Sequence, residues 1–221
     1  MARSSAGAGK AWLMKALWDL DAVQFGTFNV GRTQNSPVYV NLRRLISSPT
    51  VLGRVGRVIK EESETLLTML HQHMAPFSLC AGVPFGGLHI ATAFALTAKV
   101  PMIYLHPRKD GEGEVIEGAY LPGQTVLVID DLITGGTSVI ETASQLREAG
   151  LIVKDAIVLV DRKQGAKDRL KLHGIRLIPM LELETLLNWG MTHGRIAEEG
   201  QYRTALDFLH GQAEDARRGA G

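Results

Sequence analysis

Val126-Leu127-Val128-Ile129-Asp130-Asp131-Leu132-Ile133-Thr134-Gly135-Gly136-Thr137-Ser138 joins an apolar strand to two acids and a glycine/hydroxyl turn. Aliphatics running into paired carboxylates read as a buried parallel strand that delivers its acids at the C-terminal end, where open α/β sheets place ligands. Gly135 and Gly136 let the backbone approach a ligand closely, and Thr137 and Ser138 put hydroxyls at the start of a helix expected over Val139 to Ala149. Unpaired N–H groups and the positive end of that helix dipole favour a phosphate. No Gly-Lys-Ser/Thr follows, so the turn is not a Walker A loop. The plain alternative is a strand–turn–helix whose acids are merely solvated. Against it stands the coincidence of acids, hydroxyls and glycines at the ligand-binding end.

Working outward, strand and helix signals alternate: Phe77 to Val83, helix Leu88 to Ala98, Met102 to His106, Thr125 to Asp131, the helix after the turn, Ala156 to Asp161, helix Ala166 to His173, and Arg176 to Met180. Such alternation predicts an α/β fold, a mainly parallel sheet covered on both faces by helices. Helical patterns close the chain at Leu183 to Trp189 and Gln201 to Leu209. Upstream, Leu13, Ala16, Leu17 and Leu20 give an amphipathic helix over about 10–21, flanked by Trp12 and Trp18. An extended piece, Thr27 to Leu42, turns around Thr33 to Pro37, and a longer helix starts near Thr50 after Ser48-Pro49 and carries apolar residues through Leu70.

The 221 residues suit one domain, and no Pro/Ser-rich linker divides them. We expect a small N-terminal hood over about 10–45, a core over about 46–210 and a polar, frayed tail over 211–221. Lys+Arg 24 against Asp+Glu 23 leaves no basic excess to attract nucleic acid. The N-terminal apolar stretch is broken by Lys15, Asp19 and Asp21 and is too short to span a bilayer, so no membrane association is expected. Cys80 is the one cysteine, set in an apolar run. It reads as a buried small hydrophobe rather than a nucleophile, and fits a reducing, cytoplasmic compartment. His71 and His73 lie two apart on an expected helix, face apart, and are read as solvated rather than metal-binding.

The stretch Val126 to Ser138 resembles the phosphoribosyl-pyrophosphate (PRPP) loop of the type I phosphoribosyltransferases. Further segments resemble the orotate phosphoribosyltransferases: Ile157-Val-Leu-Val-Asp161-Arg162-Lys163-Gln164-Gly165-Ala166-Lys167-Asp168-Arg169-Leu170 with His173-Gly174-Ile175; Phe25-Gly26-Thr27-Phe28 and Ser36-Pro37-Val38-Tyr39-Val40-Asn41-Leu42-Arg43 of the hood; and Cys80-Ala81-Gly82-Val83-Pro84-Phe85-Gly86-Gly87-Leu88 on the pyrophosphate side. The resemblance covers about residues 12–210. It implies the type I phosphoribosyltransferase fold and transfer of the 5-phosphoribosyl group of PRPP to orotate in pyrimidine (UMP) biosynthesis. It implies Mg²⁺ held through PRPP rather than by protein side chains, and a homodimer whose mobile loops are exchanged.

By the same resemblance, Arg108, Lys109, Asp130, Asp131, Thr134, Gly135, Gly136, Thr137 and Ser138 bind PRPP, with Asp130, Asp131 and Lys109 catalytic. Thr134 and Arg162 receive orotate. For Arg162 the chemistry argues independently, since a guanidinium at the end of a buried strand pairs bidentately with a planar carboxylate. Its local alternative is a pair with Asp161 or another neighbouring acid.

Two departures stand out. The loop His106 to Gly118 is several residues shorter than in the family and has one lysine, Lys109, which aligns either with the Lys directly after Arg or with the later catalytic one. Gly31 stands where the family carries a PRPP-contacting Lys, with Arg32 adjacent. Each lost donor at a pyrophosphate leaving group costs about 3 kcal/mol of transition-state stabilisation. Transfer to another nucleobase, or PRPP sensing without catalysis, are therefore the alternatives at this point.

Overall fold

The apolar stretches of the chain sort by length and residue type into helices and strands, which a computed structural model describes over residues 2–30, 33–69, 73–107 and 114–218. Helix α1 (Ala2–Asp19) leads into an antiparallel hairpin, β1 (Val23–Val30) and β2 (Thr33–Val40), followed by a short 3-10 helix over Leu42–Ser47. Then come α2 (Pro49–Thr68), β3 (Leu79–Gly82), α3 (Gly86–Ala98), β4 (Met102–Pro107), β5 (Glu114–Glu117), β6 (Thr125–Ile133), α4 (Thr137–Glu148), β7 (Ile152–Asp161), α5 (Ala166–Leu172), β8 (Arg176–Glu182), α6 (Leu183–Thr192) and α7 (Glu199–Arg218).

The main sheet runs β5-β4-β3-β6-β7-β8, parallel except for the antiparallel edge pair β4–β5. Central strand β6 is buried on both faces. Leu127 and Ile129 join the core formed with α1, α2, α3 and α6, while Val126 and Val128 join the core under α4 and α5. This two-sided burial explains why the strand reads as a continuous aliphatic run rather than an alternation. Helices α2 and α3 come close enough that a side chain on Gly56 would overlap the Ala93 carbonyl. Cys80 is fully buried in β3, and its thiol is pushed up to about 12 by burial. No helix among the described residues is long and apolar enough to cross a membrane.

Several expectations are corrected. The residues expected to turn, Thr33 to Pro37, belong to β2, and the hairpin reverses before them. Asn35 is left-handed (φ 52) and donates its N–H to Asn29 Oδ1 at 3.0 Å. The pairing register slips nearby, so the turn-forming residues make a bulge. The tail is helical through Arg218 rather than frayed, because Ala205 and Leu209 dock α7 in the core and the Gln-Ala-Glu-Asp-Ala segment has good helix formers. Helix α4 starts two residues before the expected Val139. The opening helix likewise begins earlier, at Ala2, and β5 and the 3-10 helix were not foreseen. Helix α2 ends at Thr68, so exposed His73 lies past it, while Leu70 and His71 fall outside the described residues.

Candidate active site

The strand order reverses between β3 and β6. From β3 the chain crosses through α3 to β4 on one side, and from β6 through α4 to β7 on the other. Such a switch point leaves a crevice at the C-terminal strand ends, where ligands bind in open α/β sheets. Here the crevice is a cavity of about 690 Å³. Asp130, Asp131 and the whole turn Thr134 to Ser138 line it together, and Tyr39 to Arg43 of the hood face it from across.

The two acids occupy different settings. Asp130 is 7 % exposed, and burial with the adjacent Asp131 charge holds its carboxyl well above the ordinary aspartate range. Its Oδ1 accepts the Asp131 N–H at 2.8 Å, which pulls the other way. Asp131 is half-buried, and its Oδ1 accepts the Leu132 N–H at 2.7 Å. The start of α3 presses on both, since a side chain on Gly86 would overlap the Asp131 carboxylate and one on Gly87 the Ile129 carbonyl. Glycine is therefore required where the loop after β3 meets the acids. His89, one turn into α3, carries a buried Nε2 without a hydrogen-bond partner. Burial lowers its proton affinity, and the Asp131 charge partly offsets that.

The turn is built for an anion. Gly136 takes the left-handed conformation (φ 82) and precedes α4 without a side-chain cap, so the first N–H groups of that helix have no side-chain acceptor. Thr137, Ser138 and Val139, which carry them, line the cavity. Orphan donors and the helix dipole together favour a phosphate. Leu170 of α5 fills the space a side chain on Gly136 would need.

Arg162 sits apart from this group. It follows β7 at 1 % exposure, is not among the residues lining the cavity, and donates from Nη2 to Ser36 Oγ at 3.0 Å. The local alternative of an acid partner fails. Asp161 accepts the Lys163 N–H at 2.7 Å, and among the described residues no carboxylate lies within ion-pair distance of Arg162. Its Nε has no partner, and neither has Nε2 of Gln164, which does line the cavity. Burial lowers the guanidinium's proton affinity, yet an arginine stays charged. Two orphaned donors behind one wall of the cavity suit a ligand rich in acceptor oxygens.

Arg108, Lys109, Gly31 and Arg32 lie outside the described residues. Sequence reading assigned no role to Arg43, Gln164, Arg169, Gln212 or Asp215, all of which line the cavity. For Gln164 and Arg169 the available signal was their place in the segment after β7. For the two α7 residues there was none, because only docking of α7 beside β2 brings them there.

A family model described as "Phosphoribosyl transferase domain" matches residues 64–175. Uridine 5'-monophosphate synthase of Bos taurus is 39 % identical over 177 residues, 79 % of this chain but 35 % of the bovine protein, so the chain spans about a third of that relative's length. Orotate phosphoribosyltransferase of Caenorhabditis elegans is 33 % identical over 190 residues, covering 84 % of this chain and 80 % of the nematode protein. The crystal structure of orotate phosphoribosyltransferase from Aeropyrum pernix is 34 % identical with a TM-score of 0.65, covering 80 % of this chain and 97 % of that one. The fold is thus shared along with the sequence, and the chain belongs to the phosphoribosyltransferase family, in its orotate phosphoribosyltransferase branch.

Proposed function

We propose that this chain transfers the 5-phosphoribosyl group of PRPP to orotate, giving orotidine 5′-monophosphate and pyrophosphate in de novo UMP synthesis. The observation that carries the reading is the gathering of Asp130, Asp131 and the Thr134 to Ser138 turn in one cavity, in a chain whose relatives are named for orotate transfer.

The 5′-phosphate is held by the turn Thr134 to Ser138, through the uncapped N–H groups at the start of α4 and the hydroxyls of Thr137 and Ser138. Asp130 and Asp131 face the ribose hydroxyls. As the bond from C1′ to pyrophosphate breaks, positive charge grows on C1′ and the ring oxygen, and the nearby carboxylates stabilise it. Orotate attacks C1′ through N1, so no covalent enzyme intermediate is required. Thr134 and Arg162 orient the base; Arg162 lies behind the cavity wall, where its orphaned Nε would be satisfied by an orotate oxygen once the wall side chains give way. Arg108 and Lys109, by resemblance, neutralise the pyrophosphate.

Magnesium fits as an ion brought in on the substrate. Among the described residues no group of three or more His, Cys, Asp or Glu could hold a metal, whereas one or two carboxylates with phosphate oxygens and waters are a usual Mg²⁺ set. Mg²⁺ would be held mainly through PRPP, and Asp131, the more exposed of the adjacent acid pair, is the residue that would meet it. Bound there, the ion supplies charge neutralisation for the leaving group. The protein works as a homodimer with exchanged loops in the cytoplasm, a compartment in keeping with its buried lone thiol.

Loss of orotate absorbance with matched pyrophosphate release, in the presence of PRPP and Mg²⁺, tests the reading. Turnover that disappears in Arg162→Ala and Asp131→Asn is the expected result. PRPP binding without orotate turnover would overturn it.

A further inference from the structure

Arg169 stands on the second turn-facing element of the site. It belongs to α5, whose next residue, Leu170, packs into the space beside Gly136. From there its Nη1 donates to the Gly135 carbonyl at 2.7 Å and reaches Thr137 Oγ1 at 3.4 Å. The fit is tight enough that a Cβ on Gly135 would lie 2.9 Å from that nitrogen. The residue lines the cavity, and among the described residues its guanidinium makes no ion pair.

The charges around the cavity give this placement meaning. Among the described residues three aspartates line it, Asp130, Asp131 and Asp215, against two cations, Arg43 and Arg169. Arg43 belongs to the acid end, where it and Asp131 both act on the His89 ring with opposite sign. Among the described residues Arg169 is the cation at the glycine/hydroxyl turn. Backbone N–H groups and hydroxyls alone give a phosphate partial charges only, whereas a guanidinium gives a full charge and several donors in a planar fork. One nitrogen already fixes the group to the turn's backbone, so its remaining donors are pre-positioned with little further loss of side-chain freedom.

We propose that Arg169 is the side-chain cation of the phosphate subsite at Thr134 to Ser138, binding the 5′-phosphate of the phosphoribosyl substrate. The inference rests on the phosphoribosyl reading above, and it adds a residue from α5, outside the PRPP loop, to the machinery.

Calorimetric titration with ribose 5-phosphate, and separately with pyrophosphate, compares wild type with Arg169→Ala, Arg169→Gln and Arg169→Lys. Loss of a charge-assisted contact lowers ribose 5-phosphate affinity on the order of 10- to 100-fold in the Ala and Gln variants. Lys recovers most of it, and pyrophosphate affinity stays within about two-fold because that group binds at the other end of the site. KM for PRPP rises in parallel. Gln still offers the Gly135 carbonyl a donor, so a Gln variant with full affinity would make Arg169 a brace for the turn and overturn the proposal. Equal weakening of both ligands would overturn it too. Orotate turnover of the wild type is read separately. Turnover with an indifferent Arg169 sinks this inference alone, and charge-dependent ribose 5-phosphate binding without orotate turnover sinks the base assignment alone.

Discussion

Arg162 and Ser36 are 126 positions apart in the chain and meet through one hydrogen bond, Nη2 to Oγ at 3.0 Å. The serine hydroxyl in turn donates a hydrogen bond to the Val38 carbonyl at 2.7 Å, so the hood strand and the end of β7 are joined by a short chain of hydrogen bonds. A buried guanidinium without a carboxylate is costly to keep. The orotate contact proposed for Arg162 would account for that cost.

Arg162→Met separates those two roles. Removing an unpaired buried charge while keeping volume is expected to leave stability unchanged or raised by about 1 kcal/mol, read from urea unfolding midpoints. In the same variant kcat/KM for orotate falls by on the order of 100-fold or more, which corresponds to about 3 kcal/mol. A loss of several kcal/mol in stability would instead make Arg162 a structural strut.

Asp130 sets a pH dependence of known sign. Its folded carboxyl is held well above the ordinary aspartate value of 3.8 by burial and by Asp131. The folded state therefore binds its proton more tightly than the unfolded chain. The stabilisation is complete below 3.8 and is lost as pH rises through the folded value. Asp155 and Asp161, both raised by burial, contribute with the same sign. Asp130→Asn should flatten its share of that decline, so the variant gains on wild type as unfolding midpoints are followed from about pH 4 to about pH 8. An unchanged difference across that range would refute the assignment.

Two glycines in helices should respond oppositely to alanine. Gly86→Ala drives a methyl into the Asp131 carboxylate, and is expected to cost about 1–3 kcal/mol in unfolding free energy together with most of kcat. Gly53, within α2, has nothing within 4 Å of its absent Cβ. Gly53→Ala should stabilise by about 0.5–1 kcal/mol with kinetics intact. Thermal scans with a parallel rate assay check both.

The loop exchange proposed above predicts complementation. Lys109→Ala and Asp131→Asn are each expected to be inactive, and hybrid dimers made by mixing and refolding them would carry one intact site. Roughly a quarter of wild-type activity should return. No recovery, in a preparation shown by native mass spectrometry to contain hybrids, would place Lys109 in its own subunit's site.

What could be read from the chain follows from how local each cause is. The passage β6–turn–α4 was legible because strand, acids, glycines and hydroxyls are contiguous and each dictates its own geometry. Asn35-Ser36-Pro37 misled because turn-forming residues also make bulges, and proline is tolerated at a strand edge. Strand β5 has only four residues and exists by pairing with β4, a cause outside its own sequence. Gln212 and Asp215 reach the cavity only because Ala205 and Leu209 seat α7 in the core. Arg169 needed the crossover from β7 through α5 to bring it beside Gly135.

The lone thiol, sealed in β3 and pushed up to about 12, leaves this protein with almost no thiolate at neutral pH. It is thus a natural blank for site-directed labelling. Position 211, on the exposed part of α7 next to a cavity-lining residue, has open space around it. Gly211→Cys carrying a small fluorophore would turn substrate occupancy into an optical signal, with no native cysteine to remove first.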